Sequence, residues 1–225
     1  GSVATCMAGD ISAEGRANAL RLFNLYRWLA DLPAVQTEAA RDRQAQACAL
    51  MPHANWRASG LSHDPPESWT CWTEEGHDGS ASSNISGGPG VSSVDAYMVD
   101  NGNETTMGHR RIVLSNQLGP IGLGSTGPGG ASCMQNLRGM GDAGKAWVAW
   151  PPAGAFPIQA YSPSGRQSLA DTGWSIQAED IELDGASVTV SSDGTNLAVD
   201  VAPLTRSYGN SSAIRVRPNG WDVMA

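Results

Sequence analysis

Residues 94–126, VDAYMVDNGNETTMGHRRIVLSNQLGPIGLGST, decide how the chain is read. They open on a helical spacing of apolar residues, Val94, Tyr97 and Met98, and pass into a polar loop carrying Asp100, Asn103 and Glu104. Gly108-His109-Arg110 follows, then an apolar run over 112–114 and a glycine-punctuated strand over 121–125. A glycine directly before His109 lets the backbone turn tightly and leaves the imidazole uncrowded. With two carboxylates a few residues upstream, that histidine is a candidate site.

Upstream, Leu61-Ser62-His63 follows a helical segment, and GSASSNI follows at 79–85. An (F/L)SH segment, then GEN(I/L), then VDxWM, GHR, IL and GxG is the ordered signature of the CAP superfamily, which holds the cysteine-rich secretory proteins, antigen 5 and the plant pathogenesis-related proteins. The chain resembles its bacterial, SCP-like branch over roughly residues 13–139. Asn24, Tyr26, Arg27, Leu29, Ala30, Leu32 and Pro33 are similar to the family's first helix, read here as core plus one buried, hydrogen-bonding arginine. The resemblance implies an α+β fold, an α-β-α sandwich of CAP type over 1–158, in a secreted, extracellular protein.

The resemblance further implies a cleft that gathers two histidines and two acids. His63 matches the first histidine and His109 the second. The acid of the GEN motif falls on Ser83 and is absent; the second acid falls on Asp100, with Glu104 as the other candidate. His63, His109, Asp100 and Glu104 are therefore the candidate catalytic residues. Two imidazoles beside a carboxylate can act in three ways. They can hold a divalent metal such as zinc, with His63 and His109 as ligands. They can serve as a general base and its partner on a bound water. Or they can form a polar network that holds loops over the cleft. No G-x-S-x-G elbow, phosphate loop, His-Glu-x-x-His or EF-hand pattern competes.

Composition narrows the partners. Fourteen basic against 22 acidic residues leave a net charge of -8, which argues against nucleic acid and against a polybasic membrane surface. No run of about 18 apolar residues exists, so no membrane span is expected. Gly1-Ser2 reads as a cloning remnant, and no signal peptide is visible. Cys6, Cys48, Cys71 and Cys133 have no C-x-x-C spacing; an even count fits two disulfides and an oxidising compartment. Three pairings are possible, and the preferred one joins Cys6 to Cys48 and Cys71 to Cys133. Asn84, Asn103 and Asn210 each open a glycosylation sequon.

Along the chain, Ser12 is expected to cap a helix through Asp31, with Leu22, Leu25, Tyr26 and Leu29 on its inner face and Trp28 in the core. Thr37 is expected to cap a second helix striped by Ala40, Gln44, Ala47, Cys48 and Met51. Pro52 should end or kink it, leaving His53 structural or at the surface. Residues 59–90 read as loop, with Trp69 and Trp72 beside the cleft, and the segments 121–126 and 132–138 as a hairpin about a Gly-Pro-Gly-Gly turn. Residues 147–157 read as a last strand and a proline-rich exit. Beyond, residues 159–225 form a small antiparallel β unit of about four strands, with Asp193-Gly194 as a hairpin turn.

The resulting expectation is a monomeric secreted protein whose histidine cleft binds a small apolar or carbohydrate ligand, a metal ion or a cell-surface partner. The alternative is a metal-assisted or acid–base hydrolase acting on peptide or cell-wall bonds.

Overall fold

The structure is a computed structural model that describes residues 1–88, 90–127, 129–137, 139–163 and 168–220, with all side chains except those of residues 57 and 58. The fold is mixed α+β. Its elements are α1 (Ala13–Leu29), α2 (Ala39–Ser59), α3 (Glu74–Ala81), β1 (Ser83–Ser86), α4 (Val91–Val99), α5 (Gly108–Val113), β2 (Gly122–Ser125), β3 (Ser132–Gln135) and β4 (Trp147–Trp150). They continue with α6 (Ile158–Tyr161), α7 (Leu169–Thr172), β5 (Trp174–Ala178), β6 (Val190–Ser192), β7 (Thr195–Leu197), β8 (Val199–Pro203) and β9 (Ser212–Pro218). Two compact units interleave in sequence: Gly1–Trp28, Pro33–Tyr97 and Gln117–Asp142 form the first, and Leu29–Leu32, Met98–Asn116 and Ala143–Ala225 the second.

The first unit is built on the antiparallel sheet β1-β3-β2. The hairpin of β2 and β3 pairs Gly122 with Gln135 and Ser125 with Ser132; Pro128 of its turn and Arg138 lie outside the described residues. Gly124 and Cys133 are cross-strand partners on the face that meets α2. A Cβ on Gly124 would stand 2.1 Å from the Ala45 carbonyl carbon, so only glycine lets the helix lie this close. Ala45, Cys48, Ala49, Ile85 and Cys133 close the core there. Asp42 and Gln46, one turn apart on α2, accept the Leu123 and Ser125 amides at 2.8 and 2.9 Å, so helix side chains satisfy the backbone of an edge strand. Asn84, Leu123 and Met134 on the opposite face are equally buried, and Tyr97 of α4 donates to the Asn84 carbonyl at 3.0 Å.

Helix α1 starts where expected, Ser12 Oγ accepting the Gly15 amide at 3.0 Å. Its roll differs. Ala19, Phe23, Tyr26 and Arg27 are buried, while Leu25 is 46% and Trp28 71% exposed. Polar anchors set that roll: Tyr26 donates to Asp95 Oδ1 at 2.6 Å, and Arg27 Nε to the Pro33 carbonyl at 2.8 Å. Asn24 exchanges two bonds of 2.9 Å with the backbone of Val35 and fixes the turn beyond the helix.

Helix α2 begins after Glu38 rather than Thr37 and runs through Pro52 to Ser59, so His53 lies inside the helix, half-buried. An interior proline costs roughly 3 kcal/mol, and packing on both sides offsets it. Before Pro52 the helix is held by the Cys48–Cys133 disulfide; after it, Asn55 Nδ2 donates to the Met51 and Thr70 carbonyls at 2.8 and 2.9 Å. The stretch read as loop contains α3 and β1. Thr73 caps α3 through the Gly76 amide at 3.0 Å, and a Cβ on Gly79 would lie 2.3 Å from the Gln44 carbonyl. Glycine, a poor helix former, is placed here by contact with α2.

The disulfides are Cys6–Cys71 and Cys48–Cys133, with Cα separations of 5.0 and 6.0 Å, not the preferred pairing. Cys48 and Cys133 project from facing surfaces of α2 and β3, which leaves Cys71 to hold the N-terminal segment. Among the described residues, no helix is long and apolar enough to cross a membrane.

The second unit carries the antiparallel sheet β4-β5-β9-β8, in which residues 147–150 form an edge strand paired with β5. The β6–β7 hairpin turns at Asp193-Gly194, both in the left-handed region (φ 49° and 77°) that this turn requires. Gln177 of β5 donates to the Arg111 and Leu114 carbonyls at 3.0 and 2.9 Å and so seats α5 on the sheet.

Candidate functional site

His109 is placed by the geometry of its own loop. The left-handed turn before α5 falls on Met107 (φ 44°, ψ 40°), not on Gly108. Gly108 matters for space: a Cβ there would stand 2.8 Å from the Tyr208 ring. Asp100, also left-handed (φ 59°), ends α4 and turns its carboxylate back toward α5. Its Oδ1 lies 2.9 Å from His109 Nδ1 and accepts Asn103 Nδ2 at 2.8 Å; its Oδ2 accepts the Arg110 amide at 3.1 Å.

A carboxylate only accepts, so the Asp100 contact requires the proton on Nδ1 of His109, and a neutral ring then carries its lone pair on Nε2. Asn103 Nδ2, 3.3 Å from the same nitrogen, is a close neighbour of the ring rather than its partner. The Asp100 side chain is wholly buried and that of His109 is 24% exposed. A hidden acid thus orients a reachable imidazole.

The two arginines after His109 are structural. Arg110, with no exposed surface, donates to the carbonyls of Met98 (2.7 Å), Val99 (2.8 Å) and Gly173 (2.8 Å) and to Thr172 Oγ1 (3.0 Å). Arg111 donates to the carbonyls of Thr106, Thr205 and Asn210 at 3.0, 2.7 and 3.0 Å. Burial pulls both guanidinium groups down to about 10, opposed for Arg110 by the Asp100 charge.

Of the two candidate acids, Asp100 takes the partnership. Glu104 Oε1 accepts the Gly102 amide at 2.9 Å, within its own turn. Asn103, not singled out as a site residue, joins the acid through an i, i+3 spacing that the Asp-x-x-Asn pattern carries. His63 belongs to the first unit, exposed, with Nδ1 3.0 Å from the Ser80 carbonyl, a pure acceptor that places the proton there. Ser83 is fully buried. His77 meets Asp64 at 3.0 Å, and its ring lies 6.1 Å from that of Trp72. Trp69 and Trp72 are both half-buried, the Trp72 indole donating to the Pro65 carbonyl at 3.1 Å.

Zinc needs three or four converging donors. Among the described residues no group of three or more His, Cys, Asp and Glu side chains is placed to hold a metal ion. His109 already directs one nitrogen at its acid. Of the sequon asparagines, Asn84 and Asn210 are buried, and Asn103, half-buried, donates to Asp100. No protein-family model matches the chain, and no curated protein or solved structure is significantly similar to it.

Proposed function

We propose that this chain is a secreted ligand-binding protein of CAP type, in which His109, oriented by Asp100, engages a polar group of a small ligand or of a cell-surface partner. The observation that carries the reading is the buried Asp100 carboxylate at 2.9 Å from a partly exposed imidazole. Burying an acid against a histidine fixes tautomer and ring orientation, which a bland surface histidine does not need. The ordered segments around His63, Asn84, Tyr97, His109 and Gly122 support the family; the two disulfides suit an oxidising compartment.

The same dyad favours one second reading, acid–base hydrolysis, because an oriented imidazole is what activating a water requires. One experiment separates the two. The wild type, His109→Ala and His63→Ala are titrated with cholesterol, palmitate and N-acetylglucosamine, and assayed on casein and on peptidoglycan. Binding weakened about tenfold by His109→Ala, with no turnover, supports the ligand reading. Turnover lost in His109→Ala supports hydrolysis. Binding and turnover both indifferent to His109 would remove this residue from function.

A further inference from the structure

The chain before α1 is held to the first unit at few points. No residue of 1–8 is buried. Residues 2–7 form a turn closed on itself: Ser2 and Met7 exchange backbone bonds of 2.7 and 3.0 Å, and the Cys6 amide donates to the Val3 carbonyl at 3.3 Å. Among the described residues, two bonds tie this segment to the rest of the unit, the Cys6–Cys71 disulfide and Gln46 Nε2 donating to the Ala8 carbonyl at 2.9 Å. Gly9, left-handed at φ 64°, follows as a flexible joint. Beyond it Asp10 is anchored separately, by its ion pair with Arg16 of α1.

The segment closes one side of a cavity. Ala8 and Gly9 line a space of about 400 Å³ whose other walls include Arg16 of α1, Asp42 and Gln46 of α2 and Glu75 of α3. The wall on α2 does not depend on the segment. Gln46 keeps its bonds to the Ser125 carbonyl and amide, at 3.0 and 2.9 Å, and Asp42 its bond to the Leu123 amide at 2.8 Å. The core between α2 and β3 has its own disulfide, Cys48–Cys133. Removing the segment therefore opens the cavity and leaves the helix and sheet behind it joined.

We propose that Cys6–Cys71 is a redox latch, whose cleavage by a dithiol reductant frees residues 1–8 as a strap and opens this cavity while the first unit stays folded. Cys6 is exposed and Cys71 9% exposed, against 0% and 1% for Cys48 and Cys133. Thiol–disulfide exchange needs a thiolate to reach a sulfur, so the exposed bond is the labile one. Both of its cysteines also lie in the left-handed region (φ 49° and 60°), which a Cβ disfavours, and the backbone is free to relax once the bond is cut. One thiolate of the reductant attacks Cys6 Sγ, forming a mixed disulfide and expelling Cys71 as a thiolate. The second thiol of the reductant then displaces Cys6. Two electrons and two protons pass to the protein, and the reductant leaves as its own cyclic disulfide. The freed turn, a lone two-stranded pairing, is marginal in water and frays. Nothing in the latch involves His109, so it stands or falls apart from the function proposed above.

The 15N-labelled protein is treated with graded dithiothreitol under native conditions, and the species with only Cys6–Cys71 open is trapped with iodoacetamide and identified by peptide mapping. Backbone order parameters of residues 2–8 are expected to fall from about 0.85 to below about 0.6. The Gln46 side-chain amide resonances should shift as the Ala8 carbonyl leaves. Hydrogen exchange at the Leu123 and Ser125 amides should stay within about twofold of the oxidised protein. Without iodoacetamide, removing dithiothreitol and adding glutathione disulfide should restore the closed form. The double variant Cys6→Ser with Cys71→Ser should show the open pattern with no reductant, and the trapped wild type gives the same reading from a chain already folded. A segment as rigid in the open form as in the closed one, or loss of Leu123 and Ser125 protection on opening, would overturn the proposal. So would opening of Cys48–Cys133 first, or failure of Cys6–Cys71 to close again.

Discussion

Replacing Asp100 tests whether His109 is held by a dedicated acid. The carboxylate takes three N–H groups in a fully buried position: His109 Nδ1, Asn103 Nδ2 and the Arg110 amide. Asparagine keeps the shape and tolerates the left-handed backbone, but exchanges one acceptor for a donor. If its oxygen stays toward His109 and Asn103, its NH2 group meets the Arg110 amide, and a buried donor left unpaired costs about 1–3 kcal/mol. If the amide turns over, its NH2 group faces His109 Nδ1, which must give up its proton and accept. Asp100→Asn therefore either destabilises or inverts the tautomer. Asp100→Ala strands all three donors, about 3–5 kcal/mol from one buried amide and two further bonds. It also keeps a Cβ at φ 59°. Asp100→Gly loses the same bonds without that strain and should be more stable than the alanine variant by about 1 kcal/mol.

The assay is urea unfolding for each variant at constant m-value, combined with the imidazole 15N shifts of His109, which report the tautomer directly. An asparagine variant within about 0.5 kcal/mol of wild type, with Nδ1 still protonated, would refute the argument, since measured surface substitutions commonly fall in that range. A glycine variant no more stable than alanine would refute the part that rests on backbone strain.

Three further outcomes are expected. Arg110→Met should cost at least about 3 kcal/mol in urea unfolding, because the carbonyls of Met98, Val99 and Gly173 lose their donor inside the protein. Burial, then the hydrogen bond and charge of Asp95, hold the Tyr26 phenol well above its ordinary value near 10. The folded state thus keeps a proton that the unfolded chain loses above pH 10. This contribution is whole below pH 10 and falls as pH rises, so Tyr26→Phe should lose up to about 1.4 kcal/mol per pH unit of alkaline destabilisation, measured by urea unfolding at pH 9 to 11. Each disulfide closes a long loop (separations of 65 and 85 residues) and should contribute roughly 4 kcal/mol. Under native conditions dithiothreitol should cleave Cys6–Cys71 first, Cys6 being exposed and Cys48 and Cys133 buried, with peptide mapping after alkylation as the check.

What could be read from the chain was what neighbours in sequence decide. Ser12 caps α1, Asp193-Gly194 turns a hairpin and the β2–β3 pair forms, because each depends on a few adjacent residues. What could not be read is decided by partners far along the chain. The roll of α1 follows Asp95, α2 survives Pro52 through Cys133 and Thr70, and a helix with two glycines forms at 74–81 because α2 lies against it. One long-range feature did leave a trace. Strand alternation places Cys133 opposite Gly124, on the glycine face where a helix must approach, and Cys48 lies on the small-residue stripe of that helix. The same division runs through the site. Gly108-His109-Arg110 was legible as a motif, but its acid was narrowed only to Asp100 or Glu104. Three left-handed residues, Asp100, Gly102 and Met107, fold the loop so that Asp100 reaches the ring while Glu104 turns back to the Gly102 amide. A periodic pattern carries no record of such a turn, since left-handed conformations at aspartate and methionine are imposed by the contacts they make. Asp100 is held there by the amide of Arg110, whose side chain in turn ties the end of α4 to the segment before β5. The imidazole's orientation is therefore built into the packing of the second unit, and substitutions that loosen Arg110 should disorder His109 without touching it.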